Sequence, residues 1–219
     1  QEMISNSDAV SLFRELENNG VGTGEYAIKV EVGFDVFGPP FYLNENGITI
    51  VCADASVGDT GEVNGVTYTK RTRDEVTPEN AATTCTSGIT NMDNLFFTQV
   101  FMDYGFNEDI SHWDVSNVTS MISMFHDADL FNQDLSAWDV SNVTNMHKMF
   151  RYARSFNQDI GAWNTSSVTD MSEMFFSAER FDWSLDTWDV SNVTTMMHMF
   201  QDAVDFNGRL NAWDVSSVQ

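Results

Sequence analysis

Positive charge is scarce in this chain. Ten Lys and Arg stand against 33 Asp and Glu, a formal net charge of −23 at pH 7 over 219 residues and a pI near 4.1. Nucleic acid is excluded as a partner on that ground, because holding a phosphate backbone requires clustered cations. Binding to an anionic membrane surface is excluded for the same reason. Long apolar runs are also missing: no stretch of 18 apolar residues exists to form a membrane-spanning helix. The opening "QEMISNSDAV" has neither a basic n-region nor an apolar h-region and is not a signal peptide, so a secreted form would already have lost its signal. Cysteine is limited to Cys52 and Cys85. Two thiols 33 residues apart, with no CxxC and no nearby His pair, read as a disulfide rather than a metal site. That points to an oxidising, extracellular setting; the bland alternative is a pair of reduced, buried thiols.

Apolar bulk is plentiful. Hydrophobic residues make up 42% of the chain, with 17 Phe and 12 Met, enough to bury a core despite the charge. The acidity reads first as a solvated surface that favours solubility; it also leaves room for cationic partners or calcium. The apolar residues keep a 25-residue beat. Trp113, Trp138, Trp163, Trp188 and Trp213 hold it, as do Phe106, Phe131, Phe156, Phe181 and Phe206. Met121, Met146, Met171 and Met196 form another column, Met124, Met149, Met174 and Met199 the next, then Phe125, Phe150, Phe175 and Phe200. Self-similarity at a fixed period of this length is the mark of stacked repeats.

Within one unit, Met146, Met149, Phe150 and Ala153 lie at offsets 0, 3, 4 and 7, one face of a helix. The spacing predicts a short helix over 143–153, with Ser141, Asn142 or Thr144 as N-cap. The other half, "FNQDLSAWDVSNV", reads as turns around a short strand within 135–140. Strands pair about 4.8 Å apart whereas helices pack at about 8–10 Å, a mismatch that would curve the array. The expected fold is therefore α/β: a curved leucine-rich-repeat-like solenoid of 25-residue coils behind an N-terminal α+β cap. The cap takes residues 1–88 and the solenoid 89–219, beginning with a degenerate coil (89–112) that aligns only if four extra residues follow Phe96. The sequence stops at "WDVSSVQ", before the next helix is due, and the expectation is that the natural protein continues. In the cap a helix is expected over 7–20, strands over 25–34 and 47–53, a hairpin centred on Asn64-Gly65, and a short helix within 77–87.

The unit "W-D-V-S-N-V-T-x-M-x-x-M-F", followed by "A" and then "F-N-x-D-[IL]", resembles the BspA-like surface-protein repeat. Residues 52–92 are similar to the segment that often leads into such arrays. The resemblance covers roughly 52–219. It implies a leucine-rich-repeat-like array in a secreted or surface-attached interaction protein, and it carries over no catalytic residue. The array departs from its own motif at Asn164-Thr165, which replaces Asp-Val, and at Ser184 and Arg209, which interrupt the column of Asp109, Asp134 and Asp159.

The residues that look chemical are the repeated ones. Asp114, Asp139 and Asp189 follow a Trp and are candidate calcium ligands, with Asx-turn or capping roles as the competing reading. Calcium takes six to eight oxygens, so single Asp residues would need carbonyls and water beside them. Asn107, Asn132, Asn157 and Asn207 read as an asparagine ladder satisfying buried turn carbonyls. His112, His126, His147 and His198 keep no common phase, so no triad or metal cluster assembles from them. Sequons at 117–119, 142–144, 164–166 and 192–194 fall out of the repeat itself. Recognition is expected instead at the positions that vary between coils, among them Ser136, His147, Lys148 and Asp186. The favoured function is a monomeric, non-catalytic adhesin or interaction module for an extracellular protein or glycan. A calcium-stabilised spacer is the main alternative; an ice-binding surface and a polysaccharide-acting enzyme are minor ones.

Overall fold

The computed structural model describes residues 40–97 and 105–219. The helix expected over 7–20 and the strand over 25–34 lie outside them. Two small sheets come first. Strands β1 (Tyr42–Leu43) and β2 (Ile50–Val51) pair antiparallel. Strands β3 (Thr60–Val63) and β4 (Val66–Lys70) form a hairpin, and β5 (Thr84–Cys85) adds in parallel beside β4. The hairpin turns on Asn64 and Gly65, both at positive φ (52° and 81°), as a two-residue turn matched to strand twist requires. Gly61 leaves room for the Phe41 ring, which a Cβ there would strike. Cys52 and Cys85 form a disulfide at the centre of this small core, both fully buried. Within 77–87 the expected helix is a single 3-10 turn, Ala81–Thr83.

From residue 89 onward neither the expected helices nor the expected strands are found: no α-helix occurs among the described residues. Residues 135–140 are not a strand, and 143–153 is a run of consecutive turns. The hydrogen bonds give the reason. Met146, Lys148, Phe150 and Tyr152 donate their amides to the carbonyls of Asp170, Ser172, Met174 and Phe176 at 2.8–3.0 Å, one unit further on. Between them, Met149, Arg151 and Ala153 donate to Met146, Lys148 and Phe150, three residues back. The amide of His147 is taken by Asn145 Oδ1. Every amide from 146 to 153 is thus satisfied, half of them by a neighbouring unit, and none by the i−4 carbonyl of an α-helix.

Such a path needs left-handed residues, which fall at Ser123, Asp127, Lys148, Tyr152, Glu173, Ser177, His198 and Asp202, all at φ between 52° and 60°. None is Gly, so each costs on the order of 1–2 kcal/mol, less for Asp. Single-residue parallel bridges link Asn91, Ser120, Asn145, Asp170 and Thr195 in series. Consecutive bridges are 25 residues apart except the first, at 29. Phe106 stacks on Phe131 in ordinary register, so the four additional residues fall between Phe96 and Phe106, in a stretch that includes the undescribed 98–104.

The core is a set of aromatic stacks. Phe125, Phe150, Phe175 and Phe200 follow one another at 5.5–5.6 Å between centroids. Phe106, Phe131, Phe156, Phe181 and Phe206 do so at 5.7–6.0 Å. Within each unit the two columns meet face to face, as Phe150 does with Phe156 at 4.0 Å. Rings spaced this closely are incompatible with stacked helices, which need about 8–10 Å. The strand-versus-helix mismatch from which curvature was expected is therefore absent from these units. The Trp column closes the core: the indole N–H of Trp138 donates to Ile110 O (3.2 Å), Trp163 to Leu135 O (3.0 Å) and Trp188 to Ile160 O (3.0 Å).

Trp138 is 3% exposed, and its replacement by Ala should destabilise the protein by about 3–5 kcal/mol. Trp138→Phe keeps most of the apolar volume and removes one of two bonds at the Ile110 carbonyl, which still accepts the Trp113 amide (3.1 Å), a cost of about 0.5–1.5 kcal/mol. Denaturant melts of both variants check this; unchanged stability in Trp138→Ala would refute the core assignment.

Candidate functional site

The repeated polar residues have structural partners. Asp139 Oδ1 accepts the Ser141 amide at 3.1 Å, and Asp189 Oδ1 accepts both the Ser191 amide and hydroxyl. Asp114 accepts from Ser116 through Oδ1 and from Ser87 through Oδ2. Asn164, lacking a charge, makes the same two bonds to Ser166. The position needs an acceptor oxygen, not an anion. The Ser191 bonds hold the Asp189 carboxyl below the usual range. Asp114 and Asp139 do line one cleft of about 260 Å³ with Asn44, Asn46 and Asn117, and Asp189 is not part of it. Among the described residues no group of three or more His, Cys, Asp or Glu is placed to hold a metal.

The asparagine ladder differs from its expectation. Asn132 donates its backbone amide to Asn107 Oδ1, and Asn157 donates to Asn132 Oδ1, both at 2.8 Å. The side chains accept from exposed amides instead of donating to buried carbonyls. Asp182 therefore serves in the same column, accepting from the Asn207 amide. The Thr column binds twice per step, Thr144 donating its amide (2.9 Å) and hydroxyl (3.1 Å) to Thr119 O.

The variable residues divide between two edges of the units. Ser136 is exposed and donates its amide to Asp134, while Asp186 accepts the Ala212 amide. His147 and Lys148 lie elsewhere, within the cross-unit ladder. His147 Nδ1 sits 2.9 Å from Ser172 Oγ, and Lys148 Nζ sits 3.6 Å from Glu173. Beside them is a ridge that the sequence reading missed. Phe97, His126, Arg151 and Phe176 occupy one column of successive units, joined by Tyr152. Phe97 stacks on His126 (4.5 Å) and His126 on Tyr152 (5.9 Å). Arg151 lies over both the Tyr152 ring (4.6 Å) and the Phe176 ring (4.8 Å), which meet each other edge-on at 5.5 Å. Its Nε is 3.0 Å from Glu173 Oε2 but not aimed at it, so this is an ion pair without a hydrogen bond. Arg154 bridges Asp129 (2.6 Å) and Glu179 (3.1 Å) across three units. These residues differ from unit to unit and so carried no periodic signal; the aromatic and basic run "HKMFRYAR" (147–154) was the available cue.

A family described as "Mycoplasma protein of unknown function, DUF285" matches residues 67–182 and again 136–219. The chain belongs to this family. The match takes in the hairpin from Thr67, Cys85 and every 25-residue unit, and it leaves Cys52 outside. No curated protein and no solved structure matches the chain. No helix among the described residues is long and apolar enough to cross a membrane.

Membership in DUF285 assigns no residue a role, so the ridge rests on its own electrostatics. Burial, then the nearby Arg151 and Lys148, press the His126 imidazole down to about 4. It is a neutral stacking ring at pH 7, not a cation, although Asp127 lies 3.6 Å away. Burial raises Asp127 itself. Arg154 is held above its ordinary value by its two carboxylates, which outweigh partial burial. The Asp column yields a prediction about calcium. Since each Oδ1 is committed to Ser and no third acid joins any of these residues among those described, EDTA should leave the melting temperature unchanged; a fall of several degrees, restored by calcium and lost in Asp139→Asn, would establish calcium binding by the column.

Proposed function

We propose that the chain is a non-catalytic interaction module of a secreted or cell-surface protein. It is a solenoid of 25-residue coils that binds an extracellular protein or polysaccharide through its non-repeating surface. The carrying observation is the ridge of Phe97, His126, Arg151, Tyr152 and Phe176, flanked by Lys148 and Arg154. Side chains that break the repeat are gathered on a backbone that repeats strictly, which is how a scaffold separates recognition from folding. Tyr and Arg are also the residue types that most often anchor interfaces. The solenoid reading is supported by hydrogen bonds that recur every 25 residues, such as Thr169 to Thr144 and Thr194 to Thr169. The disulfide supports an oxidising compartment, and family membership accords with a surface protein.

Screening the protein against glycan and matrix-protein arrays tests the reading. A ligand should emerge whose affinity falls at least tenfold in both Phe176→Ser and Arg151→Gln, variants that keep the repeated core. An absence of ligand across both arrays, or undiminished binding by the two variants, would sink it.

A further inference from the structure

A second concave site lies where the small sheets meet the first, longer unit. Its cavity measures about 390 Å³. One wall is the end of β4 and the turn after it, carrying Lys70, Arg71 and Arg73; the other is the run from Ser87 to Asn91. Three of the chain's ten cations line this one cavity and none of its lining residues is acidic. In a chain of 33 acids that is a local reversal of sign. Lys70 Nζ is held by two neutral carbonyls, Ala53 O (2.9 Å) and Ala55 O (2.8 Å). Arg71 Nη1 is held by Thr83 O and Thr84 Oγ1. Among the described residues neither Lys70 nor Arg71 forms an ion pair. Glu75, which Arg71 stabilises at longer range, is bound to Thr72 and does not line the cavity. Arg73 donates to Asp93 O and pairs with the exposed Asp74 at 3.0 Å. The anchoring bonds fix the cations in place yet leave one Lys70 donor and several Arg donors free. A positive field with fixed, unspent donors is what an anion requires.

We propose that this cavity binds an acidic sugar residue of a polysaccharide, its carboxylate or sulfate set against Arg71 and Arg73. The volume lies in the range of small-molecule sites and is far larger than a lone inorganic anion fills. Thr90 supplies a hydroxyl suited to ring hydroxyls, the Thr72 oxygen still accepts after donating to Glu75, Asn91 keeps one amide hydrogen beyond its bonds to Asp93, and Val57, half exposed, supplies an apolar face. Apart from Lys70, which ends β4, and Asn91, which makes a single-residue bridge to Ser120, the lining belongs to no strand, so an extended peptide finds no run of strand edge to extend. At physiological salt, charges beyond about 8 Å are screened, so the ligand meets the local cations rather than the net charge of −23.

The test is calorimetry on the intact protein with four probes: an oligogalacturonate, a neutral oligosaccharide of equal length, an oligoglutamate and inorganic sulfate. The oligogalacturonate should bind, at least tenfold more tightly than the other three, and weaken as NaCl rises from about 50 to about 300 mM. Thr90→Glu places a carboxylate in the cavity while sparing every anchoring bond, and it should reduce affinity at least tenfold; Arg73→Gln should do likewise. Tyr152→Ala, on the ridge, should change nothing, which separates this site from the one proposed above. Equal binding of the neutral sugar, preference for oligoglutamate, binding of sulfate alone, no binding, or indifference to Thr90→Glu would each overturn the proposal.

Discussion

The structure depends on one division of labour among backbone amides. In the Met- and Phe-rich segments that precede another unit, amides alternate between closing a local turn and reaching that unit. Met146, Lys148, Phe150 and Tyr152 reach across while Met149, Arg151 and Ala153 close turns. A unit that spends half its donors on its neighbour is unsatisfied alone, so stability comes from stacking. The left-handed residues, two per unit, are the conformational cost of that path. Burial of the Met and Phe columns, nearly all fully buried through Phe181, is what offsets it.

That division also fixes the spacing of everything else. Units close enough to share backbone hydrogen bonds bring identical rings to 5.5–6.0 Å, a spacing at which flat rings stack in parallel, whereas the aliphatic column alternates Ile110, Leu135, Ile160 and Leu185. The aromatic columns are therefore strict inside. Outside, the same ladder holds variable side chains in fixed rows, which is how Phe97, His126, Arg151 and Phe176 come to form one surface.

The Trp and Phe core, the Asn64-Gly65 hairpin and the Cys52–Cys85 pairing were legible because each depends on residue type at fixed spacing. The helix over 143–153 was misread for a physical reason. Turns closing every three residues bury Met146, Met149, Phe150 and Ala153 at the same offsets as a helix face, so periodicity cannot separate the two. What distinguishes them, a left-handed backbone at Lys148 and Tyr152, leaves no trace in composition, since neither is Gly. Likewise, Asp182 in the Asn column made sense only once that column proved to supply acceptors. The ridge was hidden because its column changes residue type at every unit, and the basic cavity because it joins residues distant in sequence, 70–73 and 87–91. Of the residues singled out beforehand, only His147 and Lys148 lie beside the ridge.

The central claim is that register, unit to unit, holds the molecule together. Excising residues 144–168, one full 25-residue unit, joins Val143 to Thr169 and lets the Thr169 amide meet Thr119 O as Thr144 does now. Measured by cooperative thermal unfolding, that variant should fold with a modestly lowered melting temperature, whereas excising one residue fewer should abolish the transition. Equal, cooperative folding of the two deletions would contradict the account.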